Sequence, residues 1–246
     1  MSSKHSAATH FYFEPRQLDR DTCLFSREES DHILKSFRLY IGDRIAATDG
    51  CGRLYQMKLT AFENRLVRAQ VISSAERVNE LPVAITIGFG MPQPSKADQI
   101  IDQCTQLGAA AFVPILAKNS PGKLTGEKAQ VRLERWRKVA ISSMKQSLRT
   151  VLPEINAPRD VADLAGTIGS YDAAIVGSLK GTALSGEVLP AAANKILLLT
   201  GPEEGFSRIE EDTLIRAGAT PVLLGERRLR AELAPVVLLS AVVYSL

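Results

Sequence analysis

Two short apolar runs near the carboxyl end of the chain, each stopped by glycine, constrain the fold more than any other feature. Ile196–Leu199 is followed by Thr200-Gly-Pro-Glu-Glu-Gly-Phe-Ser207, and the second run, Val222–Leu224, opens into Gly225-Glu-Arg-Arg-Leu-Arg-Ala-Glu-Leu233. Runs this short and apolar favour buried parallel strands over amphipathic surface helices. Because ligands of such sheets bind at the carboxyl ends of the strands, the two loops predict a single pocket.

The first loop has residues that let a ligand approach the backbone closely. Gly201 and Gly205 permit positive φ angles, and Pro202 fixes one turn. Ser207 and Glu210 have the spacing of a capping box, which predicts that a helix begins there. An ordinary capped strand–turn–helix connection would contain the same residue types, so the loop by itself leaves both interpretations open.

The composition is that of a globular protein with one large domain or two modest ones. The chain has 246 residues, 45% of them hydrophobic, and a formal net charge of +3, which permits an RNA partner without requiring one. Its three cysteines are far apart and give no disulfide or metal-ligand pattern, so we expect no metal and a reducing, cytoplasmic location.

We expect no secretory signal, and the longest apolar stretch, 235–246, is too short to span a bilayer. That stretch predicts a buried terminal helix, either within one subunit or at an interface.

The predicted elements divide the chain into an N-terminal and a C-terminal domain. Residues 1–9 are predicted to be a disordered lead. Short β-type runs predict a small β-barrel over residues 10–75: 44–48, 54–59 and 66–72, with Asp49–Gly52 as a hairpin turn. The polar stretch Ser73–Glu80, ended by Pro82, is expected to be a linker. From there strands alternate with helical patterns, so the fold class is α/β with a parallel sheet over 82–246.

A long helix is predicted over 127–148, and the segment from Arg132 to Arg149 contains six basic residues and one acidic residue. This bias is typical either of a solvated helix face or of a surface that follows RNA phosphates. The sequence leaves both interpretations open.

Five ordered blocks, which together cover nearly the whole chain, resemble the ribosomal RNA small subunit methyltransferase E family. The blocks are His32-Ile-Leu-Lys-Ser-Phe-Arg38 with Gly42-Asp43 and Asp49-Gly50; Lys96 with Gln106-Leu-Gly108; Gln146-Ser-x-Arg149 with Pro153; Gly201-Pro-Glu-x-Gly-Phe-Ser-x-x-Glu210; and Leu224-Gly-x-Arg-x-Leu-Arg-x-Glu232. The resemblance implies a C-terminal domain of the SPOUT class, with a trefoil knot, and an N-terminal domain similar to PUA domains. It also implies S-adenosylmethionine as methyl donor, N3 of a uridine in small-subunit ribosomal RNA as acceptor, and a homodimer.

The resemblance also implies roles for individual residues. The expected cofactor-binding residues lie at three strand ends: Gly177, Ser178, Thr200, Gly201, Pro202, Glu203, Gly205, Leu224, Gly225 and Leu229. The expected RNA-binding residues are basic: Arg16, Lys35, Arg38, Arg53, Lys96 and Arg149. Arg230 is expected to stabilise charge developing on a uracil carbonyl, and Glu232 to accept a proton or orient Arg230. A structural ion pair between Arg230 and Glu232 is the alternative.

Three positions depart from the family pattern. Glu204 stands where relatives usually have a second glycine, and Ala231 and Leu233 replace two threonines. The alternative function is therefore a non-catalytic RNA-binding protein that retains the fold and the pocket. A nicotinamide-dependent oxidoreductase is disfavoured, because no Gly-x-Gly-x-x-Gly occurs at a strand–helix junction with an acidic residue about twenty positions later.

Overall fold

The computed structural model describes residues 9–121, 124, 126–185 and 188–246, and these form two compact units. The first unit contains the described residues up to Glu80 together with Ile141–Leu152, and the second contains the rest. The predicted C-terminal domain, 82–246, includes residues 141–152. They pack with the first unit because their backbone bonds to it: Gly52 N donates to Thr150 O (2.9 Å) and Leu152 N to Gly50 O (2.9 Å). Most of the predicted lead, residues 1–8, lies outside the described residues.

The first unit is built on a six-stranded, mostly antiparallel sheet with the order β1-β4-β5-β6-β3-β2. Its strands are β1 (Phe11–Tyr12), β2 (Leu18–Asp19), β3 (Thr22–Leu24), β4 (Arg44–Thr48), β5 (Arg53–Glu63) and β6 (Leu66–Glu76). Helix α1 (Arg27–Asp31) runs into a π-helical turn, His32–Ser36. Alternate residues of β5, among them Met57 and Leu59, are buried, as expected for a strand with one face on a core.

The hairpin turn predicted at Asp49–Gly52 joins β4 to β5. Asp49 Oδ1 accepts a hydrogen bond from the Cys51 amide (2.7 Å), and Oδ2 accepts one from the Tyr55 hydroxyl (3.1 Å). The carboxylate therefore stabilises the turn in the way that makes aspartate frequent there. The strands predicted on either side are present, and β6 extends to Glu76, into the segment that was expected to be a linker.

The second unit is built on a seven-stranded parallel sheet, which confirms the predicted α/β class. The strand order is β10-β8-β7-β12-β11-β13, with β9 paired to β8. The strands are β7 (Ala84–Gly90), β8 (Ala111–Leu116), β9 (Glu154–Ile155), β10 (Arg159–Asp160), β11 (Ala173–Thr182), β12 (Lys195–Thr200) and β13 (Thr220–Val222). The central strands β7 and β12 are buried along nearly their whole length, which is typical of strands in a parallel sheet. The strand predicted at 222–224 lies two residues earlier.

The remaining helices connect these strands or close the chain. They are α2 (Pro94–Gln106), α3 (Gly126–Gln146), α4 (Val161–Ala165), α5 (Arg208–Arg216) and α6 (Leu233–Val243). Helix α2 ends before Gly108, whose φ of +100° is typical of a glycine that follows the end of a helix. The predicted capping box at the start of α5 is confirmed, since Ser207 and Glu210 bond each other's backbone amides. No helix among the described residues is both long and apolar enough to cross a membrane.

Candidate active site

Three neighbouring strands, β12, β11 and β13, reach the same edge of the parallel sheet, and a cavity of about 320 Å³ lies among the segments that follow their ends. All ten residues that the sequence analysis assigned to the cofactor line this cavity. The structure therefore brings together residues from three separate stretches of sequence, around Gly177, Gly201 and Gly225. Six lining residues were not among the expected contacts: Leu179, Glu204, Arg227, Arg228, Ala231 and Ala234. Their nearness in sequence to the predicted contacts was the one signal available.

The first glycine loop, residues 200–206, turns back on itself at Gly201. A Cβ atom there would lie 2.6 Å from Phe206 N and 2.8 Å from Gly205 Cα, so no side chain fits without moving the loop. The Gly205 amide donates to Pro202 O at 2.8 Å, and Gly205 has a φ of +74°. Both glycines are thus required by backbone geometry, one by close packing and the other by its left-handed conformation.

The second glycine loop, residues 223–229, is joined to the first by a side chain. Arg228 Nη2 donates a hydrogen bond to Glu203 O at 2.9 Å. Gly225 has a φ of +106°, and a Cβ on it would meet no atom within 4 Å, so a side chain would be strained by conformation and not by crowding. The two loops that line the cavity therefore support each other directly.

A third segment, after β8, supports the first glycine loop from the side of α5. Asn119 Nδ2 donates to Gly205 O at 3.2 Å, and the Lys118 amide donates to Glu210 Oε1 at 2.7 Å. Glu210 Oε2 accepts from both the amide and the hydroxyl of Ser207. The capping box thus anchors a neighbouring loop as well as the first turn of α5.

Glu203 is held by the amino end of α2. Its Oε1 accepts from the Gln93 amide and from Lys96 Nζ, both at 3.1 Å. Burial raises the pKa of Glu203, but the Gln93 amide, its own backbone amide and the Lys96 ammonium together hold that pKa below its ordinary value. The carboxylate is therefore ionised near neutral pH.

Three buried polar atoms near the cavity have no hydrogen-bond partner among the described residues: Thr200 Oγ1, Glu203 Oε2 and Glu232 Oε2. Thr200 and Glu203 line the cavity itself. Buried polar atoms in folded proteins nearly always have partners. These atoms are accordingly available to a ligand or to ordered water.

The two expected catalytic residues lie on the segment between the second glycine loop and α6. Arg230 is exposed, and neither Arg230 nor Glu232 is among the residues that line the cavity. Glu232 forms an ion pair with Lys96, whose Nζ lies 3.9 Å from Glu232 Oε2. Within the described part of the chain, no ion pair joins Glu232 to Arg230. No group of three or more His, Cys, Asp or Glu side chains in the described ranges is arranged to hold a metal ion.

The six basic residues expected to contact RNA fall into three environments. Arg16, Lys35, Arg38 and Arg53 are exposed on the first unit. Lys96 is partly buried against two carboxylates of the second unit. The Arg149 side chain is only 3% exposed and forms a 2.7 Å ion pair with Glu80, so it is not available as a surface contact.

A concave surface on the first unit contains three arginines that are not among the predicted RNA contacts. It is lined by Arg16 and by Arg20, Arg27 and Arg68, together with Asp19 and Asp21. These residues come from two distant stretches, 16–27 and 66–68, and acidic residues stand between the arginines of the first, so no run of consecutive basic residues marks the surface in the sequence.

Comparison with known proteins decides the family. A family model described as an RNA methyltransferase domain matches residues 79–243. The ribosomal RNA small subunit methyltransferase E of Synechocystis is 30% identical over 248 residues, which cover 98% of this chain and 79% of the relative. This chain belongs to the ribosomal RNA small subunit methyltransferase E family. The Bacillus subtilis member is 31% identical over 225 residues, covering 88% of each chain.

A solved structure of the same family has the same fold. The Neisseria gonorrhoeae ribosomal RNA small subunit methyltransferase E, bound to S-adenosyl methionine, superposes with a TM-score of 0.84 at 25% identity, covering 95% of each chain. Of the three departures from the family pattern, Glu204 is exposed and lines the cavity, and Ala231 is buried and lines it too. Leu233 is 44% exposed at the start of α6.

Proposed function

We propose that this protein transfers a methyl group from S-adenosylmethionine to N3 of a uridine in small-subunit ribosomal RNA. One observation carries the proposal. The ten residues expected at a cofactor site, drawn from three distant stretches of sequence, line one cavity in a chain that belongs to this family. The proposed location is the cytoplasm, where ribosomal RNA is found.

The residues around the cavity fit this cofactor. Its volume of about 320 Å³ is within the range of small-molecule sites. The glycine loops expose backbone groups, which suit the polar parts of a nucleoside and an amino acid. Thr200 Oγ1 and Glu203 Oε2 are buried acceptors that lack partners among the described residues, and a ligand with hydroxyl or ammonium donors would satisfy them.

The chemistry of the site follows from what each residue can do. When bound, S-adenosylmethionine supplies an electrophilic methyl group on a positively charged sulfur. The two glycine loops hold and orient the ligand, which is a positioning task. We assign to Glu232 the removal of the proton from uracil N3, and to the exposed Arg230 the stabilisation of negative charge on a uracil carbonyl.

The proposal extends to fold and assembly. We propose that the second unit contains the trefoil knot of the SPOUT class, that the first unit is a PUA-like barrel, and that the protein is a homodimer. Family membership supports all three. Partial exposure of apolar residues at the ends of α6 also supports the dimer: Leu233 (44%), Tyr244 (91%) and Leu246 (50%). Light scattering at micromolar concentration should give twice the chain mass, and a monomer would contradict the assembly.

We propose that RNA contacts the first unit through exposed basic residues. Arg16, Lys35, Arg38 and Arg53 remain the candidates, and the concave surface beside Arg16 adds three further arginines. Arg149 is left out because its guanidinium is buried. Phosphate contacts of this kind make affinity fall steeply with salt concentration.

Two measurements test the proposed function. Calorimetry with S-adenosylhomocysteine should show saturable binding to the wild type, and Gly201→Ala should weaken it because the added Cβ collides with Phe206 N and Gly205. Gly169→Ala is the matched control, since a Cβ at Gly169 meets nothing within 4 Å.

The second measurement is methyl transfer to small-subunit ribosomal RNA that lacks this modification, with the product nucleoside identified by mass spectrometry. We expect N3-methyluridine. Cofactor binding without transfer to free RNA or to assembled subunits would favour the non-catalytic alternative. Transfer to another base atom would refute the proposed acceptor.

A further inference from the structure

Lys96 is the third residue of helix α2 and lies between two carboxylates from distant parts of the second unit. Its Nζ is 3.1 Å from Glu203 Oε1, in the first glycine loop, and 3.9 Å from Glu232 Oε2, just before α6. The three side chains are 26%, 28% and 15% exposed, respectively. Charge pairs shielded from water in this way interact more strongly than pairs on an open surface.

The amino end of α2 depends on this arrangement. Its N-cap residue, Gln93, makes no side-chain capping bond, and the first turn contains no acidic residue. The Glu203 carboxylate accepts from the Gln93 amide instead, so the glycine loop supplies the negative charge that a helix N-terminus favours. Helix α2 and the glycine loop are therefore joined at Glu203.

Glu203 is also held on its backbone side, by Arg228 of the second glycine loop. One residue of the cavity wall thus connects α2 to both loops. Lys96 adds the connection to Glu232, which we have assigned to proton transfer. The cluster contains one ammonium and two carboxylates, and among the described residues these carboxylates are the ion-pair partners of Lys96.

We propose that Lys96 is a positioning residue of the methyl-transfer site and not an RNA contact. Its ammonium holds the carboxylates of Glu203 and Glu232 and thereby fixes the first glycine loop and the segment before α6 in the conformation that binds the cofactor. The inference rests on the proposed function. It replaces the RNA-binding role expected from the sequence, because the lysine nitrogen is turned towards carboxylates of its own chain.

Removing the charge should release the loop. In Lys96→Met the hydrocarbon stem stays, but two partly buried carboxylates lose their shared cation and repel each other. We expect the affinity for S-adenosylhomocysteine to fall about tenfold. Affinity for small-subunit ribosomal RNA should stay within about twofold, since no exposed cation is lost from the RNA-binding surface.

Calorimetry with S-adenosylhomocysteine and fluorescence anisotropy with ribosomal RNA test this on the 246-residue chain. Lys96→Arg should restore at least half of the lost cofactor affinity, because a guanidinium can also pair with both carboxylates. Lys195→Met is the matched control. Lys195 is the first residue of β12 and lies about 20 Å from the glycine loop that follows this strand. Its ammonium lies over the ring of Tyr171. That variant should bind S-adenosylhomocysteine like the wild type.

A double-mutant cycle with Glu203→Gln tests whether Lys96 acts through Glu203. The loss of binding free energy in the double variant should be smaller than the sum of the losses in the two single variants, since both single variants remove the same contact. Additive losses would overturn the inference. The inference would also be overturned if Lys96→Met weakened only RNA binding, or if it left cofactor affinity unchanged.

Hydrogen exchange separates this inference from the proposed function, because it needs no ligand. In the protein alone, Lys96→Met should speed exchange of the Gly205 amide, which bonds to Pro202 O in the wild type. If the wild type fails to bind S-adenosylhomocysteine, the proposed function is wrong, yet faster exchange still supports the positioning role. Unchanged exchange would refute that role.

Discussion

The buried pair of Arg149 and Glu80 gives a stability prediction that can be worked from the structure. Both side chains are 3% exposed. Glu80 Oε2 accepts from Arg149 Nε (3.1 Å) and Nη2 (2.7 Å), and Oε1 accepts from the amides of Thr150 (2.7 Å) and Val151 (2.9 Å). One carboxylate therefore joins the end of the first continuous part of the first unit to its second part, 141–152.

Arg149→Met should lower the free energy of unfolding by about 3 kcal/mol. Removing one partner of a buried ion pair costs about 3–5 kcal/mol, and the two remaining amide bonds to Glu80 put this variant at the lower end. Glu80→Ala should cost more, about 5 kcal/mol, because two buried amides also lose their acceptor at about 1–3 kcal/mol each.

Arg53→Met is the matched control, since it removes an arginine from a pair of similar length that is exposed. Arg53 Nη2 lies 3.0 Å from Glu76 Oε1, and the two side chains are 56% and 71% exposed. That variant should cost only about 0–1 kcal/mol. Urea denaturation followed by circular dichroism measures all three variants, and amide exchange at Thr150 and Val151 reports the local effect. A loss in Arg149→Met no larger than in Arg53→Met would refute the reasoning.

Two further predictions concern the cavity and the pH dependence of stability. Glu204→Gly should leave the affinity for S-adenosylhomocysteine within about tenfold of the wild-type value, because Glu204 is exposed. The rate of RNA methylation should be kept or raised. A folded variant that loses methylation would show that Glu204 has a role of its own. Burial lowers the pKa of His10 from its ordinary value of 6.5, against a raising effect of its bond to Arg149 O. The unfolded chain therefore takes up this proton more readily, and the stability due to neutral His10 is present above about pH 6.5 and is lost as pH falls through the lower pKa of the folded state. Urea midpoints should fall between pH 7 and pH 5, and should fall less in His10→Gln; an equal fall in both would contradict this.

Local sequence patterns determined the sheet and the edge where the cavity lies. The apolar runs before Thr200 and Leu224 predicted buried strands, and the glycines after them predicted loops whose backbone is accessible. Ser207 and Glu210 predicted the start of α5. These inferences succeeded because hydrophobic periodicity, glycine conformation and helix capping each depend on residues a few positions apart. The two- and three-residue strands of the first unit are too short to leave such a pattern.

Only the tertiary structure decided what the charged residues do. Arg149, Lys96 and Arg53 are all basic residues that the sequence assigned to RNA, yet one is buried against Glu80, one bridges Glu203 and Glu232, and one is exposed. The same holds for 141–152, which continue a predicted helix but pack with the first unit. The physical reason is that burial and ion pairing depend on which distant segments the fold brings within a few ångströms, and no local spacing encodes that distance.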